Sequence, residues 1–195
     1  MNLNEILSPI IVLGTSSQAG SYILRIKVSE DLHLVFGRFK KGKMIHLPVG
    51  EYVYIGSALA TKGAMSLALR LVRHATRSGK KPPHKIRSKM IQFFKNIELG
   101  KDNLLSRKAK NLYWNIDYLL DQMAAELTHV IIIRSHQKLE EKIGKILERE
   151  PFTVIIEKGL GANDISGSTH ILRTEGDGNW WKVLIQKLDK LLGQL

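Results

Sequence analysis

Apolar and polar positions alternate along Ser21-Tyr22-Ile23-Leu24-Arg25-Ile26-Lys27-Val28, and this stretch predicts a strand. Leu32 to Phe39 alternates similarly and predicts a second. Shorter runs at Met44 to Leu47 and Glu51 to Gly56, set apart by Gly42 and the Pro48-Val49-Gly50 turn, predict a third and a fourth, so the first third reads as a β-meander. The period then lengthens. Met65, Leu67, Ala68, Leu69, Leu71 and Val72, with Arg70, Arg73 and Arg77 between and after them, predict an amphipathic helix closed by Gly79 and Pro82-Pro83. Ile86 to Ile97 predicts a second helix, Leu112 to Met123 a third, and Gln137 to Arg149 a fourth that stops at Pro151. Val130-Ile131-Ile132-Ile133 reads as a buried strand, and Phe152 to Glu157 and Ile171 to Arg173 as two more. The segment from Gly159 to Ser168 reads as a loop. Trp180 to Leu192 reads as an amphipathic helix whose wide apolar face docks on the core or across a homodimer interface. The fold class expected is α/β in the α+β sense, with a small, mostly antiparallel central sheet flanked by helices. It forms a single domain over 1–195, with its core at about 11–173, a basic helical insertion at about 79–110 and a C-terminal helix at about 178–193.

Charge sharpens this picture. The 195 residues carry 30 Lys and Arg against 18 Asp and Glu, a formal net charge of +12, which points to a polyanionic partner. The excess is clustered. Between Glu51 and Glu98 lie Lys62, Arg70, Arg73, Arg77, Lys80, Lys81, Lys85, Arg87, Lys89 and Lys95, with His74 and His84, and not one acidic residue. Opposite charges three or four residues apart would stabilise a solvated helix, so uncompensated repulsion favours phosphate contact over plain surface. Phe93 and Phe94 are adjacent, and at helical spacing one of them belongs to the core, so duplex backbone contact fits better than base stacking. The absence of cysteine excludes disulfide scaffolds, thiolate metal sites and thiol nucleophiles. No apolar run approaches a membrane span, and the N-terminus has no signal-peptide pattern, so an intracellular, cytoplasmic protein is expected, nucleoid-associated if DNA is its substrate.

Gly50-Glu51-Tyr52-Val53-Tyr54-Ile55-Gly56-Ser57-Ala58 followed by Leu69-Arg70-Leu71-Val72-Arg73-His74 resembles the second half of the GIY-YIG nuclease signature. Gly20-Ser21-Tyr22 occupies the place of the first half, with Ser21 where that motif has isoleucine. Trp114-Asn115-Ile116-Asp117-Tyr118-Leu119-Leu120, Gly161-Ala162-Asn163-Asp164 and Thr169-His170 resemble an uncharacterised branch that reads WHIDYLL and G-[SA]-S-D-C. Asn115 and Ile165 depart from that branch, whereas Tyr22, Tyr54 and Arg70 remain. The resemblance spans roughly Ile11 to Arg173 and implies a metal-dependent DNA endonuclease.

In such an enzyme Tyr22 or Tyr54, on adjacent strands meeting at one sheet edge, helps to activate the attacking water. Arg70 stabilises charge on phosphorus through a planar fork that lysine lacks. The resemblance further implies one Mg²⁺ or Mn²⁺ held by a glutamate on the helix after the 130–133 strand, where Glu141 is favoured and Glu140 is next. Both also fit an ordinary charged helix face with Lys142 and Lys145. His74 either contacts a phosphate oxygen or is a half-buried helix histidine, and His84 is read as a loop phosphate contact. With them, Lys62, Arg73, Arg77, Lys80, Lys81, Lys85, Arg87 and Lys89 form the expected nucleic-acid-binding set. Gly56, Asp117, Asn163, Asp164 and His170 complete the candidates. Asp117 equally fits pairing with a buried cation, and the Asn163 to His170 loop equally fits Asx-turn and capping chemistry. The competing classes are a nucleic-acid-binding protein without cleavage and an RNA-processing factor.

Overall fold

A computed structural model describes residues 8–14, 17–61, 65–100, 104–105, 109–162 and 168–193. In chain order the strands are β1 (Ile10–Leu13), β2 (Gly20–Val28), β3 (Leu32–Val35), β4 (Met44–Leu47), β5 (Gly50–Ala58), β6 (Ala125–Arg134), β7 (Thr153–Val154) and β8 (Ile171–Thr174). The helices are α1 (Leu67–His74), α2 (Ile86–Asn96), α3 (Asn115–Leu120), α4 (Glu140–Glu148) and α5 (Gly178–Gly193). Six strands form one sheet in the order β1-β6-β2-β5-β8-β7, antiparallel except for the β1–β6 pair. The expected mixed α/β architecture, with a mostly antiparallel sheet flanked by helices and a C-terminal helix, is the architecture found.

Side-chain alternation divides the molecule into layers. On one face of the sheet Tyr22, Leu24, Ile26, Tyr52, Tyr54, Val130 and Ile132 pack with Leu67 and Leu71 of α1, Met90 and Phe94 of α2, and Ile116 and Leu119 of α3. On the other, Ile11, Ile23, Val53, Ile55 and Ile131 pack with Ile143 and Leu147 of α4 and Trp180, Trp181, Leu184 and Leu188 of α5. Each fully buried side chain of this size is worth about 1.5–3 kcal/mol of transfer free energy.

Several expectations are corrected. The first third is not a meander: β2 pairs directly with β5, and β3–β4 is a separate two-stranded ribbon inserted between them. The strand expected to reach Phe39 stops at Val35, because Phe36 turns into the core and Gly37 (φ +58°) reverses the chain against Tyr118, leaving a short 3-10 turn at Phe39–Lys41. The third helix is only Asn115–Leu120, begun where Asp117 accepts the backbone N–H groups of Tyr113 and Trp114, both at 3.0 Å. Strand β7 shrinks to two residues, while Ile10–Leu13 adds a strand the periodicity did not predict. Within the basic stretch, α2 packs on the body of the molecule, with Ile86, Met90 and Phe94 in the main core. Helix α5 spends its apolar face on its own sheet, anchored by Glu150, which accepts from Trp180 Nε1 (2.9 Å) and Lys187 Nζ (2.6 Å). That internal docking accounts for the face that suggested a homodimer. No helix among the described residues is long and apolar enough to cross a membrane.

Candidate functional site

The candidates converge where β2 enters the sheet and β5 leaves it. Register pairs Tyr22 with Gly56 and Leu24 with Tyr54, so both tyrosines lie on the same face. They stand on central strands rather than at the sheet edge expected, with ring centroids 6.2 Å apart. Helix α1 crosses that face and brings Arg70, Arg73 and His74. Helix α4 begins on the opposite face, and its first residue, Glu140, reaches around the end of β5.

Ser57 joins the two sides. Its carbonyl accepts Arg70 Nη1 at 2.5 Å, and its hydroxyl donates to Glu140 Oε2. The other oxygen of Glu140 lies 3.1 Å from Nδ1 of buried His170. Burial works against the Glu140 charge, but His170 and Ser57 outweigh it and hold the carboxyl below the usual glutamate value. Glu141 points out to solvent and pairs with Lys145 at 2.6 Å. Of the two glutamates considered, Glu140 is the one that faces inward: α4 docks through Ile143 and Leu147, and helical spacing puts Glu140, three residues before Ile143, on the buried side.

Tyr54, Ser57, Arg70, Arg73 and Glu140 line a cleft of about 1370 Å³, walled also by Gly37–Lys40, Leu112–Asn115, Tyr118, Lys158, Gly159, Gly161 and Ala162. Arg38, Arg70 and Lys158 make this lining basic, Lys40 and Arg73 being paired with Glu157 and Asp117 behind it, and Glu140 is the single carboxylate of the lining among the described residues. Trp114 carries two guanidinium groups, with Arg70 Cζ 4.6 Å and Arg73 Cζ 4.5 Å from its ring centroid. The Tyr54 hydroxyl has no hydrogen-bond partner among the described residues.

Tyr22 and His74 sit behind this surface, both buried. The Tyr22 hydroxyl lies 2.9 Å from His74 Nε2, and His74 Nδ1 lies 3.6 Å from Asp117 Oδ1. With its proton on Nδ1, the imidazole accepts the Tyr22 hydroxyl. Burial pushes the His74 pKa down to about 4, against the opposing pull of Asp117, so the ring is neutral at pH 7. Burial also raises both phenols: Tyr22 despite the lowering effect of Arg70, and Tyr54 with reinforcement from Tyr22 and Glu140. Asp117, fully buried, accepts from Arg73 Nη1 (2.9 Å) besides the two backbone groups and lies 3.5 Å from Lys110 Nζ. Burial opposes its charge, but His74, Lys110 and the Tyr113 N–H hold it well below the usual carboxylate range. Its role is the buried-cation one.

The basic set divides sharply. Arg77 is buried and donates to the carbonyls of Pro82, Gln122 and Ala125 and to Glu126. His84 is buried too, donating to the Leu120 carbonyl through Nε2 while Nδ1 accepts the Leu127 N–H, and burial holds its pKa at about 4. Neither can meet a phosphate, which corrects both expectations. Lys81 pairs with Asp121 at 2.5 Å, and Arg87 donates to Thr76 Oγ1 at 2.9 Å. The acid-free stretch of sequence is thus neutralised in part from elsewhere, by Asp117, Asp121 and Glu126. Lys80, Lys85 and Lys89 keep exposed side chains with no acidic partner among the described residues. Lys62, Asn163 and Asp164 lie outside the described residues.

Sequence reasoning missed Ser57, although it follows Tyr54-Ile55-Gly56 directly, and it missed Tyr113 and Trp114 as cleft residues. An aromatic pair just before the Asp117-capped helix was the available signal for the last two.

Comparison with curated proteins and with solved structures gives no significant match in either. Residues 21–192, most of the chain, match the family described as Domain of unknown function DUF123. With Tyr22, Tyr54, Arg70 and Glu140 all inside the matched span, the chain belongs to the DUF123 family.

Proposed function

We propose that the protein is a metal-dependent endonuclease that hydrolyses phosphodiester bonds in DNA, as its resemblance to GIY-YIG nucleases implies. The observation that carries the reading is the convergence of Tyr54, Arg70 and Glu140 on one basic cleft from three separate elements. Arg70 is held by the Ser57 carbonyl and by Trp114, a geometry that leaves its charge fixed at the cleft wall to oppose charge building on phosphorus. Tyr54 stays protonated at neutral pH, so it orients the attacking water by hydrogen bonding rather than by ionising. The water oxygen bonds to phosphorus and gives its proton up to solvent, the bond to the leaving oxygen breaks, and the leaving alkoxide takes a proton from solvent. Tyr22, His74 and Asp117 act as positioning residues that fix Tyr54 and the set of α1 from behind.

The donor set suits one hard divalent cation. Among the described residues no three His, Asp or Glu side chains cluster as a metal cage, but Mg²⁺ or Mn²⁺ commonly binds through one carboxylate, waters and substrate oxygens. Glu140, ionised and oriented by His170, is the residue to hold it. When bound, such a cation polarises a phosphate oxygen and lowers the pKa of coordinated water. A second reading, a nucleic-acid binder without cleavage, draws on the fact that both Glu140 oxygens already have protein partners.

Purified protein incubated with labelled branched, nicked and linear DNA in Mg²⁺, Mn²⁺ or EDTA tests the proposal, with Tyr54→Phe and Glu140→Gln as controls. Metal-dependent cutting that both substitutions abolish is the expected result. Salt-sensitive binding without cutting under any metal would favour the second reading, and preference for RNA at matched salt would move the substrate class.

A further inference from the structure

Tyr113 is 77% exposed at the cleft wall, an unusual position for an aromatic side chain. It is not loosely placed. Its backbone N–H is fixed by buried Asp117 at 3.0 Å, and its ring meets Trp114 edge-on, at 5.3 Å and 84°, which leaves its own face open. Trp114 already stacks with two guanidinium groups, and of the other aromatic side chains that line the cleft, Phe39, Tyr54 and Tyr118 are at least partly buried, so Tyr113 is the exposed one among the described residues. It belongs to a continuous ring cluster, Tyr22-Tyr54-His74-Trp114-Tyr113, running from the sheet to solvent.

The depth of the cleft adds an independent constraint. Tyr54 is 6% and Glu140 7% exposed, so the groups that would meet a phosphate lie at the bottom of a recess. A continuous duplex, whose phosphates sit on a stiff cylinder roughly 20 Å wide, cannot lower one phosphate into a recess without deforming. An unpaired strand bends freely, and its bases are available to stack.

Resting on the nuclease reading of the cleft and deepening it, we propose that the substrate is DNA with an unpaired nucleotide beside the scissile phosphate, and that Tyr113 stacks on that base. Arg38, Arg70 and Lys158 of the cleft lining hold the adjoining phosphates, while Lys80, Lys85 and Lys89 remain for a neighbouring duplex arm. This departs from the duplex preference that the spacing of Phe93 and Phe94 suggested.

The test separates stacking from cutting. Affinity is measured in EDTA for a flap substrate carrying 2-aminopurine at the first unpaired position and for a blunt duplex of the same length and salt, using the full chain, Tyr113→Ala and Tyr113→Phe. The expected result is tighter flap binding by the unmodified chain with quenching of the 2-aminopurine, about a tenfold loss of flap affinity in Tyr113→Ala with duplex affinity unchanged, and recovery in Tyr113→Phe. Equal affinities for flap and duplex, equal losses on both, or no loss in Tyr113→Ala would overturn the proposal. A parallel Mg²⁺ cleavage assay keeps the two readings apart. Cutting without flap selectivity removes this inference and leaves the nuclease, whereas Tyr113-dependent stacking without cutting does the reverse.

Discussion

Gly56 lies directly opposite Tyr22 in the β2–β5 ladder, and a β-carbon at Gly56 would stand 2.5 Å from the Tyr22 ring carbon Cζ. The tyrosine ring therefore lies across the bare backbone of its partner strand. Gly56→Ala must push Tyr22 away from His74, and we expect a loss of about 1–3 kcal/mol of stability from overpacking. A urea double-mutant cycle with Tyr22→Leu, which removes the ring, should show strong positive coupling, while additive costs would mean that the strands simply separate.

The two tyrosines should differ in kind. Tyr54→Phe removes the unpartnered hydroxyl in the cleft and should lower the cleavage rate about a hundredfold with little change in melting temperature. Tyr22→Phe leaves His74 Nε2 buried without a partner and should cost about 1–3 kcal/mol of stability with a smaller effect on rate. Paired rate and denaturation measurements distinguish these outcomes, and the reverse pattern would assign the substrate contact to Tyr22.

For the adjacent glutamates, Glu140→Gln should abolish metal-dependent cutting and weaken Mn²⁺ binding, measured by electron paramagnetic resonance, by about 10–100-fold. Glu141→Gln removes only an exposed pair with Lys145 and should leave both within about twofold. Equal sensitivity at the two positions would count against the assignment.

Arg77 and the exposed lysines give opposite signatures. Arg77→Ala takes a buried guanidinium away from three carbonyls, of which that of Ala125 is enclosed, and should cost about 1–3 kcal/mol, seen as a lower urea midpoint. Lys85→Ala combined with Lys89→Ala should leave the midpoint in place and reduce the slope of log affinity against log salt by about 2. An unchanged slope would remove that surface from the interface.

Acid should destabilise the fold before its carboxylates titrate. His74 has a folded pKa of about 4, below the ordinary histidine value of 6.5, so the unfolded chain binds the proton more readily over that interval. Stability is full above about pH 6.5 and falls as pH drops toward 4, by on the order of 3 kcal/mol for His74. His84 is held at about 4 and adds in the same direction. Urea midpoints from pH 7.5 to 4 check this, and a flat profile would show that the two rings protonate in the native state.

Local pattern made much of this legible. The apolar runs around Tyr22 and Tyr54 and the helical period around Arg70 placed three site residues on the right elements, because β2 and β5 are buried on both faces and α1 buries one side along its length. Glu140 was not distinguishable from Glu141 on that basis, since which of two adjacent charges turns inward depends on how α4 meets the sheet. The acid-free interval read as a field of free cations because Asp117, Asp121 and Glu126 lie far along the chain from the residues they neutralise. Strand β1 escaped for a related reason: four apolar residues announce a strand only once β6 lies alongside.

That edge strand has a bearing on how the chain assembles. The β2–β5 ladder begins at Val28 and Gly50, close in sequence, whereas β1 meets β6 only by matching Ile10 with Val130. Loop-closure entropy favours the first pairing early and defers the second. The tyrosine pair is therefore built by neighbours, whereas β1, held on one side only, closes the edge of the sheet through residues distant along the chain.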